Sequence, residues 1–274
     1  MIRHIFSEAL NALNHYRLRS LLTMLSITWG VASLMLLLAY GQGFERALVK
    51  AFRQIGKDLV AVFPGQTSMQ AGGERSGRRI RLELSDVKAI AAGVPAVEAV
   101  SPEVRRYYPI IFNDRTRTYS VAGVHACYGR IREEIVAVGR FLSEDDVLHR
   151  RRVVVIGERI RKELFSGLPA LGAEIKINGV RFTVIGILEK KTQITNYDAP
   201  DDMTAFMPLT ALSNFVDVRY LNAIVLLPAN NQFRDRIVAD IRATLARAHN
   251  FNTQDERAVM ILEWNKFLAV ITNV

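Results

Sequence analysis

Along this chain the apolar positions change period several times, and each change marks an element. Ile2, Ile5, Phe6, Ala9, Leu10 and Leu13 recur at i, i+3, i+4 and i+7, while Arg3, His4, Glu8, Asn11 and Asn14 fall mostly on the other side. That is one apolar stripe on a helix over residues 1–18. Beside a membrane span such a helix either lies in the interface, with its stripe in the acyl boundary, or is a plain helical lead-in. From Ser20 to Phe44 the periodicity is lost, because no charged side chain interrupts the run. Wound as a helix, the run reaches ~37 Å at ~1.5 Å per residue, more than a ~30 Å hydrocarbon layer requires. Phe44, Leu48, Phe52 and Ile55 continue at helical spacing between Arg46, Lys50 and Arg53, which extends the span into a stalk. Gly41 and Gly43 are its softest point. Residues 19–56 are therefore expected to be one transmembrane helix with its stalk. Ala39-Tyr40-Gly41 has the small-x-small form of a signal-peptide cleavage site. The apolar run, however, exceeds the ~7–15 residues of a signal core, and a patterned segment precedes it, so a retained anchor is the reading.

After the span the period shortens. Leu59–Phe63 reads as a buried strand ended by Pro64-Gly65, and residues 65–79 as a Gly-rich, basic, mobile loop. Ser85 is the expected cap of a helix through Ala92, with Val87, Ile90 and Ala91 on its apolar face. Val97–Ser101, Val104–Phe112 and Thr116–Val124 read as strands, completing a β-α-β unit and one strand more. In the middle, Arg152–Ile156 is a strand and Gly157 leads into a helix through Phe165. Ala173–Ile177 and Val180–Leu188 flank Asn178-Gly179, a strong hairpin signal. Ala205–Pro208 and a short helix over 209–215 close this section. Leu221–Leu227, an amphipathic helix over 230–248 (Phe233, Ile237, Ile241, Leu245) and Ala258–Leu262 form a second β-α-β unit.

The fold class is thus α+β: an amphipathic helix and a transmembrane helix, then an α/β domain (57–124 plus 216–263) interrupted by a β-rich insertion (125–215). This split brings both ends of the external region together near the membrane. Residues 264–274, from Trp264 to Val274, turn apolar again but are too few to cross a bilayer. They read as the approach to a second span lying beyond this sequence.

Half the residues are hydrophobic and 23% are charged, which excludes disorder for the region outside the membrane. The net charge of +9 (36 Lys+Arg against 27 Asp+Glu) suits contact with anionic lipid head groups and equally suits a solvated surface. Cys127 is the sole cysteine, so an intramolecular disulfide and a cysteine-based metal site are both excluded. Arg3, Arg17 and Arg19 before the span nearly balance Arg46, Lys50, Arg53 and Lys57 after it. Orientation then rests on the short N-terminus, which ordinarily stays inside while a long domain crosses.

A search for chemistry returns little. His4, His15, His125, His149 and His249 are scattered, and neither a His-Glu-x-x-His nor a Gly-x-Ser-x-Gly string occurs. Gly167-Leu-Pro-Ala-Leu-Gly172 has the glycine spacing of a phosphate loop, but Ala173 stands where the lysine belongs. Gly41-Gln-Gly43 lies at a membrane exit and is no dinucleotide site. The adjacent acids Asp145-Asp146 and Asp201-Asp202 diverge too much for acid–base teamwork and read as solvated loop residues. Basic clusters at Arg75/Arg78/Arg79/Arg81, Arg105/Arg106 and Arg150/Arg151/Arg152 lack the interleaved aromatics and the cytoplasmic setting of a nucleic-acid interface. No catalytic, cofactor-binding or metal-ligating residue is assigned, and the substrate-binding residues are not identified.

Several strings in order resemble the N-terminal half of MacB-type ABC transporter permeases of the FtsX-like family, with their MacB-like periplasmic core domain. They are residues 15–31 at the entry to the span, Gly139-Arg140-Phe141 followed by Glu144-Asp145-Asp146, Val153–Gly157, Glu163-Leu-Phe165, Leu171-Gly172, Ile175–Gly179 and Phe182–Gly186. The resemblance implies a dimeric or paired permease in a bacterial inner membrane, working with a cytoplasmic ABC ATPase subunit in efflux or lipoprotein handling. It implies an external α/β (Porter-like) part interrupted by a β-rich (Sabre-like) part, which moves as ATP binding closes the ATPase. A periplasmic adaptor, a lipoprotein and membrane lipid are the further implied partners, with no cofactor and no catalytic residue in this part. The family pattern has three later spans that this sequence does not reach. The other class of function is a membrane-tethered binding or sensing module without transport.

Overall fold

The computed structural model describes residues 17–53, with side chains through Phe44, and residues 59–263 apart from 72, 74, 192–197 and the side chain of residue 231. The amphipathic segment before Arg17, the end of the stalk at residues 54–58 and the apolar approach at 264–274 lie outside the described residues. Helix α1 runs unbroken over Arg17–Arg53. Among the described residues it is the one helix long and apolar enough to cross a membrane, over Arg17–Phe44. Its apolar side chains through Phe44 are exposed, Trp29 at 73% and Leu36 at 71% among them. Its hydroxyls fold back onto their own helix: Thr28 Oγ1 donates to the Met24 carbonyl at 2.7 Å and Ser26 Oγ to that of Leu22 at 2.8 Å. That is how a hydroxyl is satisfied where water is absent.

The remaining elements in chain order are β1 (Val60–Pro64), α2 (Leu84–Gly93), β2 (Val97–Phe112), β3 (Arg115–Val124), α3 (Tyr128–Ile131) and β4 (Val136–Gly139). There follow α4 (Glu144–Leu148), β5 (Val153–Ile156), α5 (Glu158–Ile160), β6 (Glu174–Ile177), β7 (Val180–Leu188), β8 (Thr204–Pro208) and α6 (Leu209–Leu212). The last are β9 (Ala223–Pro228), α7 (Arg234–His249) and β10 (Val259–Glu263).

Strands β10, β1, β9 and the first half of β2 form an antiparallel sheet in that order. The two β-α-β units thus interleave: β1-α2-β2 supplies the second and fourth places and β9-α7-β10 the third and first. Val60 lies opposite Leu226 and Val62 opposite Ile224. These four belong to the core that also holds Val87 and Ile90 of α2 and Ile237, Ile241 and Leu245 of α7. The i, i+4, i+8 spacing of the last three is what a helix buries against a sheet. The other face of this sheet receives α3, whose Tyr128 is wholly buried.

Beyond Glu103 the same β2 enters a different set of neighbours. It pairs with β3, β3 with β8, β8 with β5, β5 with β7, β7 with β6, and β6 with β2 again at Ile110↔Ile177. The pairing closes on itself into a six-stranded ring filled by Ile110, Tyr119, Phe165, Ile177, Phe182 and Val184. Closure leaves the ring without a free edge. Strand β4 hangs on the outside of β7.

Three local expectations need correcting. Ser101-Pro102 does not divide β2, because Pro102 has a ladder partner only on its β9 side, the β3 pairing beginning at Glu103. The N-cap of α2 is Glu83 and not Ser85, and Asp86 reaches back to accept the Glu83 amide at 2.8 Å. The helix after Gly157 tightens only briefly as α5 and widens into a π turn over Arg161–Phe165, ended by left-handed Ser166. The Asn178-Gly179 hairpin stands as read, with φ of +49° and +82°, the values a two-residue primed turn demands.

Candidate functional site

Polar chemistry in the folded unit gathers where the open sheet gives way to the ring. Glu103 and Arg105, two residues apart on β2, share the face opposite Val104, and both are buried. Arg105 Nε donates to Glu103 Oε1 at 2.8 Å, and its Nη1 to Thr204 Oγ1 on β8 at 3.2 Å and the Ala199 carbonyl at 3.3 Å. Tyr128 of α3 donates to the other Glu103 oxygen at 2.8 Å. Asp198 stands 3.7 Å from Arg105 and accepts the Tyr107 hydroxyl at 2.8 Å.

A second buried group adjoins the first. Arg132, just past α3, donates through Nη2 to both oxygens of Asp201, at 3.1 and 3.2 Å. Lys191, just past β7, lies 3.0 Å from Glu134 and 4.0 Å from Asp201, and its Nζ donates to the Arg132 carbonyl at 3.1 Å. Burial of this order is affordable for charges only in mutual contact. Together the groups join α3, β2, the exit of β7 and the entry of β8.

Two sequence expectations are overturned here. Arg105 is no part of a surface basic cluster, since it is 4% exposed; its neighbour Arg106 points the other way, to Asn222 Oδ1 at 2.8 Å. The acids Asp145-Asp146 and Asp201-Asp202 are not solvated loop pairs, because Asp146 and Asp201 are buried. Each pair diverges as adjacent side chains must, one inward and one outward. Asp146 caps α4 and accepts from Arg140 at 2.5 and 3.0 Å, from the Ser143 amide at 3.0 Å and from its hydroxyl at 2.9 Å. Burial opposes its ionisation, but those donors prevail and hold it down at about 2.

The other marked residues have structural partners. His249 lies 2.9 Å from Asp86, joining the end of α7 to the start of α2. Arg78 donates to the carbonyls of His249 and Asn250 at that helix end, where orphan carbonyls favour a cation. Arg81 and Arg219 bracket the Tyr220 ring at 4.7 and 5.3 Å. Arg151 meets Asp145 at 2.5 Å. Burial pushes the Cys127 thiol up and the His125 imidazole down. Among the described residues, no three His, Cys, Asp or Glu side chains assemble a metal site. A surface groove of about 580 Å³ lies between β4 and the π turn, lined by Val138, Leu168, Leu171, Glu158 and Arg161 among others. The sequence marked Arg105 and Asp201 only as members of a basic cluster and of an adjacent acid pair, and gave no signal for Glu103, Arg132 or Lys191, because the junction is assembled from four separate segments.

An apolar helix long enough to span a membrane is thus followed in the chain by an interleaved β-α-β sheet and a closed ring, with buried charge where sheet and ring join. Residues 20–244 match the model of the MacB-like periplasmic core domain, and the chain belongs to that family. Two curated relatives are Macrolide export ATP-binding/permease proteins MacB. That of Chlorobium luteolum is 27% identical over 249 residues, 91% of this chain and 37% of that protein. That of a Shewanella species is 32% identical over 222 residues, 81% of this chain and 33% of that protein. The chain therefore spans about a third of the length of these relatives, whose names join ATP binding and permease functions in one polypeptide. The fold matches the crystal structure of the periplasmic region of MacB from Actinobacillus actinomycetemcomitans, with a TM-score of 0.63 at 20% identity, over 83% of this chain and 99% of that one.

Proposed function

We propose that this chain is the N-terminal part of a permease in an ABC-type efflux or lipoprotein-handling system, and that it relays ATP-driven movement from the cytoplasm to its external domain. The observation that carries the reading is where the chain enters and leaves the folded unit. β1, the first strand after the membrane helix, and β10, the last described, are hydrogen-bonded neighbours with Val60 opposite Glu263. A displacement of helices attached to those two ends is delivered to one edge of one sheet. From there the long β2 carries it into the ring, since a single strand serves both. Packed interiors transmit such displacement because they deform little.

In this reading the N-terminus is cytoplasmic and the folded unit periplasmic. The α/β part (57–124 plus 216–263) is Porter-like and the insertion (125–215) Sabre-like, with β2 and β3 as the strands they share. A cytoplasmic ABC ATPase supplies the work, the permease acts as a homodimer or a pair, and an adaptor or lipoprotein engages the external side. Lipid contacts the anchor, and this part of the protein performs no catalysis.

The test is co-expression with the cognate ATPase and reconstitution in vesicles. Copurification and a rise in ATP hydrolysis on adding the chain support transport. Binding of a ligand with no effect on hydrolysis supports the tethered sensing module instead. Protease protection of the folded unit on the cytosolic side refutes both.

A further inference from the structure

Both ends of the Gly-rich basic segment after β1 are held. The Thr67 amide donates to the Arg78 carbonyl and the Ile80 amide to that of Gly65, each at 2.9 Å, which pairs residues 65–68 with 77–80 as a short ribbon. The Gly65 and Gln66 amides donate to the Ala258 and Arg257 carbonyls at 3.1 and 2.9 Å, so the ribbon lies beside the turn into β10. Buried Asp255 fastens it, accepting the Ser68 amide at 2.6 Å, the Ser68 hydroxyl at 2.7 Å and the Met69 amide at 2.9 Å. A segment tied at these points gives up little freedom when something binds to it.

Arg75 and Arg79 on this segment and Arg257 beside it are exposed, and none meets a carboxylate among the described residues. The exposed acid on the facing turn is Glu256, while Glu74 lies outside the described residues. A surface cavity of about 370 Å³ opens at the ribbon, lined by Thr67, Ser68, Ser76, Gly77 and Arg257 among others. Thr67 is buried, and its Oγ1 accepts the Arg78 amide at 3.0 Å, which leaves the hydroxyl proton to donate. Unpaired guanidinium groups and a hydroxyl donor around one cavity suit an anion with several acceptor oxygens.

We propose that the ribbon docks an extended acidic segment of a partner protein, with one carboxylate entering the cavity toward Arg257 and the Thr67 hydroxyl and others lying over Arg79 and Arg75. Gln66 bridges to Arg79 on one side and bonds Arg257 on the other. The main chains of the two arginines therefore stand about 10 Å apart, two inter-strand spacings. Cations spread over that distance match a chain carrying acids at alternate positions, about 7 Å apart, better than a single small anion. The ribbon begins where β1 ends, a strand's length from where the chain enters the folded unit, which favours a protein over the bilayer that the anchor enters. Such docking deepens the reading that a partner engages the external side, yet it needs neither an ATPase nor transport, so the two can fail separately.

Fluorescence anisotropy of a labelled oligo-glutamate peptide with the full chain in detergent tests this. The wild type should bind it in preference to the oligo-glutamine counterpart, and more weakly at about 150 mM salt, where the Debye length falls to about 8 Å. Arg79→Glu/Arg257→Glu should weaken binding about tenfold or more, since each reversal replaces an attraction by a repulsion. Lys176→Glu/Arg181→Glu changes the net charge equally at exposed positions of the β6–β7 hairpin and should cost less than about twofold, distant charges being screened. No binding to the wild type, equal losses in the two variants, or equal affinity for oligo-glutamine overturns the proposal. So does displacement of the peptide by an equal concentration of inorganic phosphate or of an anionic short-chain phospholipid. If the double reversal fails to fold, Arg79→Gln and Arg257→Gln decide singly: each should weaken binding about two- to fivefold, and no loss in either ends the idea.

Discussion

Arg105→Met tests whether the junction holds the two halves of the fold together. At the 2.8 Å separation of Arg105 and Glu103, the gross attraction at an effective dielectric of ~20 is about 6 kcal/mol. Both groups have given up hydration worth several kcal/mol each, so the net value of the intact pair is far smaller. Truncating the arginine removes the attraction and leaves the Glu103 carboxylate buried, and such uncompensated burial costs about 3–5 kcal/mol. For a domain of this size, about 2–4 °C of midpoint is lost per kcal/mol, so the melting temperature of the full chain in detergent should fall by about 6–20 °C. The double variant Glu103→Gln/Arg105→Met removes both charges while keeping an acceptor for the Tyr128 hydroxyl. It should cost about 0.5–3 kcal/mol less than the sum of the singles, the range of coupling that contacting residues show. A loss below about 1 kcal/mol for Arg105→Met, as at a solvent-exposed pair, would refute the reasoning, and so would strict additivity in the double variant.

Three further perturbations probe separate features. Phe206→Ala on β8 empties a site wholly buried beside Tyr128 and Phe141, at centroid distances of 5.6 and 6.1 Å, and should cost about 3–5 kcal/mol in denaturant unfolding. Gly157→Ala places a Cβ 2.2 Å from the Asp202 carbonyl oxygen, a backbone atom that cannot swing aside, and a melting curve should show a loss of about 1–3 kcal/mol. Asp146→Asn should cost about 2–3 kcal/mol at neutral pH. Because the Asp146 carboxyl is depressed to about 2 in the fold, its contribution is complete above the unfolded value near 3.8 and is lost as pH falls toward 2. The gap between wild type and variant should accordingly close over that acid window in a pH series of melting curves.

The sequence by itself marked the long apolar helix and most of the strands and helices, though not α3, β4 or α4. An uncharged run from Ser20 to Phe44 is sufficient to mark a span, because length and the lack of charge are local properties. The apolar residues Ile237, Ile241 and Leu245 mark the buried face of α7, and Asn178-Gly179 marks its hairpin, for the same reason. The tertiary structure alone decided which strands close the ring, that β2 runs on through Pro102, and that Arg105, Asp146 and Asp201 turn inward. Ladder partners and burial depend on residues tens of positions apart: Arg132 meets Asp201 across 69 residues, and Lys191 meets Glu134 only because β7 runs beside β4. A charged side chain looks the same in a sequence whether it faces water or a partner, and only the fold supplies the partner.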